Sequence, residues 1–97
     1  MAMKRAVRQL AEELVLRLRG AGDVMESTME FTRRVTVNAL TGKRGLKGLT
    51  PRVTTEAIES AVEVGARMGA DLGSTVQGAV AGVIRGLDQV TQLTPAL

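Results

Sequence analysis

Apolar residues recur at three- and four-residue steps in three stretches of this chain, with glycine-rich breaks between them. In the first stretch Val7, Leu10, Ala11, Leu14, Val15 and Leu18 share one face of a helix over residues 5–19. Arg5, Arg8, Glu12, Glu13, Arg17 and Arg19 take the rest of its circumference. Leu16 stands among them and marks a candidate second contact surface. Gly20-Ala21-Gly22 ends this helix, because glycine accepts the left-handed C′ conformation without penalty. Asp23 is then a good N-cap, with Glu26 three residues on in a capping-box-like pattern. The second helix covers 24–41, with Val24, Thr28, Phe31, Val35 and Ala39 on its inner face. Val37 and Leu40 fall elsewhere, which predicts contact on more than one side. Thr32, Thr36 and Thr41 lower its intrinsic propensity, so it depends on tertiary support.

Residues 42–50 read as a flexible loop of three glycines and three cations. Thr50-Pro51 opens the third stretch with a Thr N-cap and Pro at N1. Its inner positions are Val53, Ala57, Ala61, Val64, Met68, Leu72, Val76, Ala79, Val83, Leu87, Val90 and Thr94, a mean step near 3.7 residues. Ile58, Val62, Val80 and Ile84 widen the stripe on one side. That phase predicts one long helix over 51–93, nearly straight or weakly right-handed. Gly73 as a C′ residue and Ser74 with Gln77 as a capping pair mark an alternative break near 73–74. Unbroken, the helix would span about 64 Å. The two shorter helices cover only part of that length, so a second chain is the natural cover for the rest of the stripe. The fold class expected is all-α. A single helical domain over 1–97, two shorter helices and one long one, is completed by oligomerisation into a bundle, a dimer being favoured.

Glycines sit at 65, 69 and 73, and again at 78, 82 and 86. A glycine inside a helix costs about 0.5–1 kcal/mol relative to alanine, so six of them need a reason. Spacing by four points to close approach of another helix. Val64, Met68, Leu72, Val76, Val83 and Leu87, with Gly65, Gly69 and Gly73, are therefore the candidate oligomer and packing residues. In period and in its Ala/Val/Gly/Thr texture, the 51–93 segment resembles the 11-residue amphipathic helices of phasins, apolipoproteins and late-embryogenesis proteins. That resemblance implies coating of an apolar or lipid surface, although the polar face lacks the Lys/Arg enrichment of helices that lie on anionic membranes.

Charge changes the picture only in one half. Residues 1–52 hold eleven Lys/Arg against five Asp/Glu, and residues 53–97 hold two against five. The basic half either lies against the acidic half or meets an anionic partner, nucleic acid or a lipid or granule surface. Lys43, Arg44, Lys47 and Arg52 are the candidate anion-binding residues, ahead of a helix N-terminus. The loop is not a Walker A sequence, since Arg44 follows Gly42-Lys43 where Ser or Thr belongs. Glu56, Glu59 and Glu63 share a helix face and read as a solvated acidic surface or a partner for the basic half.

Composition removes most chemistry. The chain has no Cys, no His, no Trp and no Tyr, and one Phe. Thiolate catalysis, the usual general base, Cys and His metal ligation and aromatic stacking on bases are gone with them. No catalytic residue, cofactor or metal is expected. The longest internal uncharged stretch, 72–84, is too short to span a bilayer. With no cysteine and no secretory leader, the expected location is cytoplasmic. The expected function is structural or interaction-mediating. The alternative is a small accessory that binds an anionic partner through the basic N-terminal half and the 43–52 loop.

Overall fold

The computed structural model describes residues 5–20, 23–41 and 50–93, with side chains from 8–20, 23–41 and 52–92. Four helices are formed there: α1 (Arg5–Arg19), α2 (Val24–Leu40), α3 (Thr50–Arg67) and α4 (Leu72–Leu93). No strand occurs among the described residues. The start of α2 is set by Asp23, whose carboxylate accepts from the Glu26 N–H at 2.8 Å. Its end is closed by Thr41, which bonds the Val37 carbonyl through both N–H and hydroxyl.

The expected single helix over 51–93 is two helices. α3 ends at Arg67 in a Schellman motif. Ala70 N–H reaches the Gly65 carbonyl at 2.9 Å, Gly69 N–H reaches that of Ala66 at 3.2 Å, and Gly69 is at φ +69°. The break therefore lies at 68–71 and not at 73–74. Asp71 caps α4 by accepting from Ser74 N–H at 2.8 Å, so Gly73 and Ser74 belong to the first turn of α4. A 64 Å rod could not lie within a body of 42 × 24 × 19 Å. Folding α3 and α4 into a hairpin instead lets both arms turn their apolar faces to one core.

α2 is the central element. It packs on α1, α3 and α4, while α1 packs on α2 and α3 and not on α4. The main core joins Leu10, Ala11 and Leu14 of α1, Phe31 and Val35 of α2, Ala57, Ala61 and Val64 of α3, and Ala79 and Val83 of α4. A smaller cluster of Leu40, Val53 and Val90 closes the other end. Burying a side chain such as Leu14 or Phe31 contributes about 1.5–3 kcal/mol. The inner face of α2 differs from the expected one at its C-terminal end, where Ala39 is exposed and Leu40 is buried. The cause is that α2 presents two faces. Phe31 and Val35 enter the main core, while Thr28, Thr32 and Thr36 face α4.

That second face makes the closest contact between the described helices. Gly78, Gly82 and Gly86 of α4 lie against Met25, Thr28, Met29, Thr32, Arg33 and Thr36 of α2. A Cβ on Gly86 would stand 2.7 Å from Thr36 Cβ, and one on Gly78 would stand 3.0 Å from Thr28 Cβ. Thr32 Oγ1 is bonded back to the Thr28 and Met29 carbonyls at 3.1 and 3.2 Å. The hydroxyls of Thr28 and Thr36 are buried with no hydrogen-bond partner. An unpaired buried hydroxyl costs free energy that an apolar group of the same shape does not. Thr28→Val and Thr36→Val are each expected to stabilise the protein by about 1 kcal/mol. Urea midpoints measure this, and a lowered midpoint for both would mean that these hydroxyls have partners.

Candidate functional site

The packing residues expected from the sequence divide into two sets. Val64 and Val83 are in the core, and Met68 and Leu87 are half-buried against it. Leu72 and Val76 are 63% and 38% exposed. Gly65 is buried, and a Cβ there would meet Thr75 Cγ2 at 2.8 Å, so it sets the approach of α3 to the start of α4. Gly69 supplies the left-handed turn, and Gly73 is exposed. These three glycines thus have three different surroundings. The ladder that acts as a ladder is the one at 78, 82 and 86, and it faces a helix of its own chain.

Among the described residues, the outer side of α4 carries the largest exposed apolar feature. Leu72, Val76, Val80 and Ile84 step by four along one ridge, and Val80 and Ile84 are 42% and 61% exposed. Side chains at that spacing are neighbours on a helix surface. Gln77, Arg85 and Asp88 are exposed polar residues of the same helix. Leu16 on α1 and Met25 on α2 are the other large exposed apolar residues among those described.

Eight charged residues form four surface pairs among the described residues. Arg34 donates to Glu13 at 2.6 Å and ties α2 to α1. Arg33 grips Glu30 with two bonds and reaches Gln89 of α4 at 2.5 Å. Arg67 pairs with Glu63 at 3.0 Å, and Arg52 lies 3.7 Å from Glu56. Exposed pairs of this kind contribute at most about 1 kcal/mol each. The acidic face of α3 is thus partly neutralised within its own helix. Of the candidate anion-binding residues, Arg52 is exposed beside Glu56, and Lys43, Arg44 and Lys47 lie outside the described residues. No group of three or more metal-ligating side chains occurs among the described residues. No described helix is long and apolar enough to cross a membrane. A cleft between α1 and α2, lined by Leu14, Arg17, Glu30 and Arg34 among others, encloses about 10 Å³, room for about one water molecule.

Two carboxyls are held below the ordinary range. Glu30 is lowered by its hydrogen bond to Arg33, against some burial, with Arg33, Arg34 and Arg17 adding attraction. Asp71 is lowered by the Ser74 N–H and the Ser74 side chain. A carboxyl whose folded value is depressed stabilises the fold fully above its unfolded value and loses that contribution as pH falls through the folded one. Stability should therefore fall as the pH drops below about 4.5, the ordinary value for Glu30. Glu30→Gln should flatten that acid limb. An acid limb of unchanged slope in Glu30→Gln would show that the Arg33 contact does not persist in solution.

The paired threonines of α2 were the feature hardest to see in the sequence. Thr28, Thr32 and Thr36 repeat by four, as do the glycines they face. The matched spacing was a signal, but threonine in a helix reads first as a weak helix former. No protein-family model, curated protein or solved structure matches this chain.

Proposed function

We propose that this chain is a non-catalytic structural protein that assembles with copies of itself, and that α4 carries the assembly. The observation behind this reading is the exposed ridge of Leu72, Val76, Val80 and Ile84 on a helix whose opposite side is already committed to α2. A face of this kind is covered most simply by an equivalent face on a second copy. The composition supports the non-catalytic part, since the chain has no His, Cys or Tyr.

The ridge is a modest surface. A stable dimer buries about 800 Å² per partner, and four partly exposed side chains supply a few hundred. The assembly expected is therefore concentration-dependent. Light scattering after size exclusion, over a wide concentration range and at two salt levels, should give masses rising above 10.3 kDa. Val80→Asp should return the mass to that of the monomer with an unchanged helical spectrum, because Val80 is exposed in the single chain. A wild-type mass of 10.3 kDa throughout would overturn the reading.

A further inference from the structure

The inner row of the α3–α4 stripe is buried or half-buried along both helices except around the turn that joins them. Val53, Ala57, Ala61 and Val64 are buried before it, and Ala79, Val83 and Val90 after it. Between them Met68 is half-buried, Leu72 is 63% exposed and Val76 is 38% exposed. These three positions step by four, so the stripe keeps helical phase straight through a point where the backbone turns back. The turn itself has no apolar clasp, although Gly65 and Thr75 meet just outside it. Its left-handed residue, Gly69, has nothing within 4 Å of where a Cβ would stand. The Schellman motif usually adds an apolar clasp between C″ and C3, but here those residues are Ala70 and Gly65, too small to form one. By contrast α4 is fixed to α2 along the whole glycine–threonine seam.

From this we infer that α4 is an exchangeable arm: residues 68–71 straighten, α3 and α4 become one helix, and α4 docks on the α2 of a second copy. The inference rests on the reading of this chain as self-assembling and adds a second route to it, in which the Leu72–Val76 end of the ridge makes the contact. In the exchanged dimer every contact of the Gly78–Gly82–Gly86 seam is remade between chains. What is lost is the turn and the Asp71 cap. What is gained is the helical hydrogen bonding of residues 68–71 and a contact across the two-fold axis. Two antiparallel long helices cross at the former turn, where Met68, Leu72 and Val76 of one copy meet those of the other. Short connections between elements of one core are the usual place for such exchange.

Gly69→Ala isolates the backbone. It introduces no clash and only disfavours the left-handed conformation, which should move the balance toward the straight form by about tenfold. Because the chain has no Cys, Glu56→Cys with Asp88→Cys takes one spin label on each arm, both at exposed positions. The labelled chain is refolded at high concentration with an excess of unlabelled chain, so that only distances within one chain are read. In the folded-back chain the two labels are close, since Val53 and Val90 share one cluster. In the continuous helix they stand about 48 Å apart. The expected result is a dimer mass and a distance near 48 Å for Gly69→Ala, with a smaller fraction of both for the wild type. Four Gly/Ser residues inserted after Gly69 should remove the long distance from the wild type, which keeps the test open if Gly69→Ala misfolds. A dimer showing only the short distance would overturn the exchange and leave self-assembly standing. Monomers at every concentration in all three chains would overturn both.

Discussion

Gly82→Ala should destabilise this protein by about 2–3 kcal/mol, although alanine is the better helix former. Placed in an exposed helix, the change would gain about 0.5–1 kcal/mol through the entropy of the unfolded chain. Here a Cβ would overlap Thr32 Oγ1 and the Met29 carbonyl oxygen and stand 3.0 Å from the Arg33 nitrogen. Two of those three atoms are backbone. The third belongs to a hydroxyl that bonds two carbonyls of its own helix and is fully buried. None can move aside as the end of a long side chain would, so α4 must lift from α2. Overpacking of a tight core costs about 1–3 kcal/mol and sometimes more, which outweighs the propensity gain. At about 4–8 °C per kcal/mol for a domain of this size, the melting point should drop by roughly 10–20 °C. Gly73→Ala is the internal comparison. Its nearest obstacle is the Asp71 carboxylate oxygen at 3.3 Å, the atom that caps α4, which would need to give by only a few tenths of an ångström. That variant should be neutral or up to about 1 kcal/mol more stable. Equal melting points for Gly82→Ala and the wild type would mean that α2 and α4 are not in backbone contact.

Much of the architecture was legible because it is written in local signals. Asp23 with Glu26 marks the start of α2, and the Gly20 break marks the end of α1; both bounds appear in the structure. The hairpin between α3 and α4 was not legible for a physical reason. Hydrophobic phase reports which side of a helix is apolar, and it is blind to a turn that keeps both arms facing one core. Val64, Met68, Leu72 and Val76 continue in step through the break. Gly69, the residue that permits the turn, sits midway in a regular spacing of Gly65 and Gly73 and reads as one rung of a ladder. Its φ of +69° in the structure is what marks it as the turn residue. The glycine–threonine seam was half legible. Glycines at 78, 82 and 86 announce a close approach, but nothing in a single helix says whether the approaching helix belongs to the same chain. The answer depends on α2, whose threonines supply the complementary small surface. The same distinction decides how the outer ridge reads. Val80 and Ile84 widen the stripe in the sequence, and only the direction of α2 shows that they are the part left uncovered.

Two adjacent residues of α4 should respond in opposite ways to the same change. Val83 is 3% exposed and shares the main core with Leu14, Phe31, Val35, Ala61 and Ala79. Ile84, one residue on, is 61% exposed. Read from the stripe alone, an aspartate at 83 would break a seam between chains. In the folded chain it breaks the core of one chain. Val83→Asp forfeits about 1.5–3 kcal/mol of apolar burial and adds the cost of an unpaired carboxyl among aliphatic and aromatic groups, at least about 2 kcal/mol even when it is protonated. The sum, about 4 kcal/mol or more, approaches the lower end of the roughly 5–15 kcal/mol that stabilises a domain. The expected result is loss of the cooperative melt and of most helical signal, whatever the protein concentration. Ile84→Asp leaves the core untouched and should keep the wild-type melt at low concentration to within about 0.5 kcal/mol. Its effect should appear only where copies meet, as a mass that no longer rises with concentration. Circular dichroism with light scattering on the two variants separates the faces of α4 directly. A folded Val83→Asp that loses only its assembly would place α4 with its core face between chains, and the close α2–α4 seam would then have to form between copies in every state of the protein.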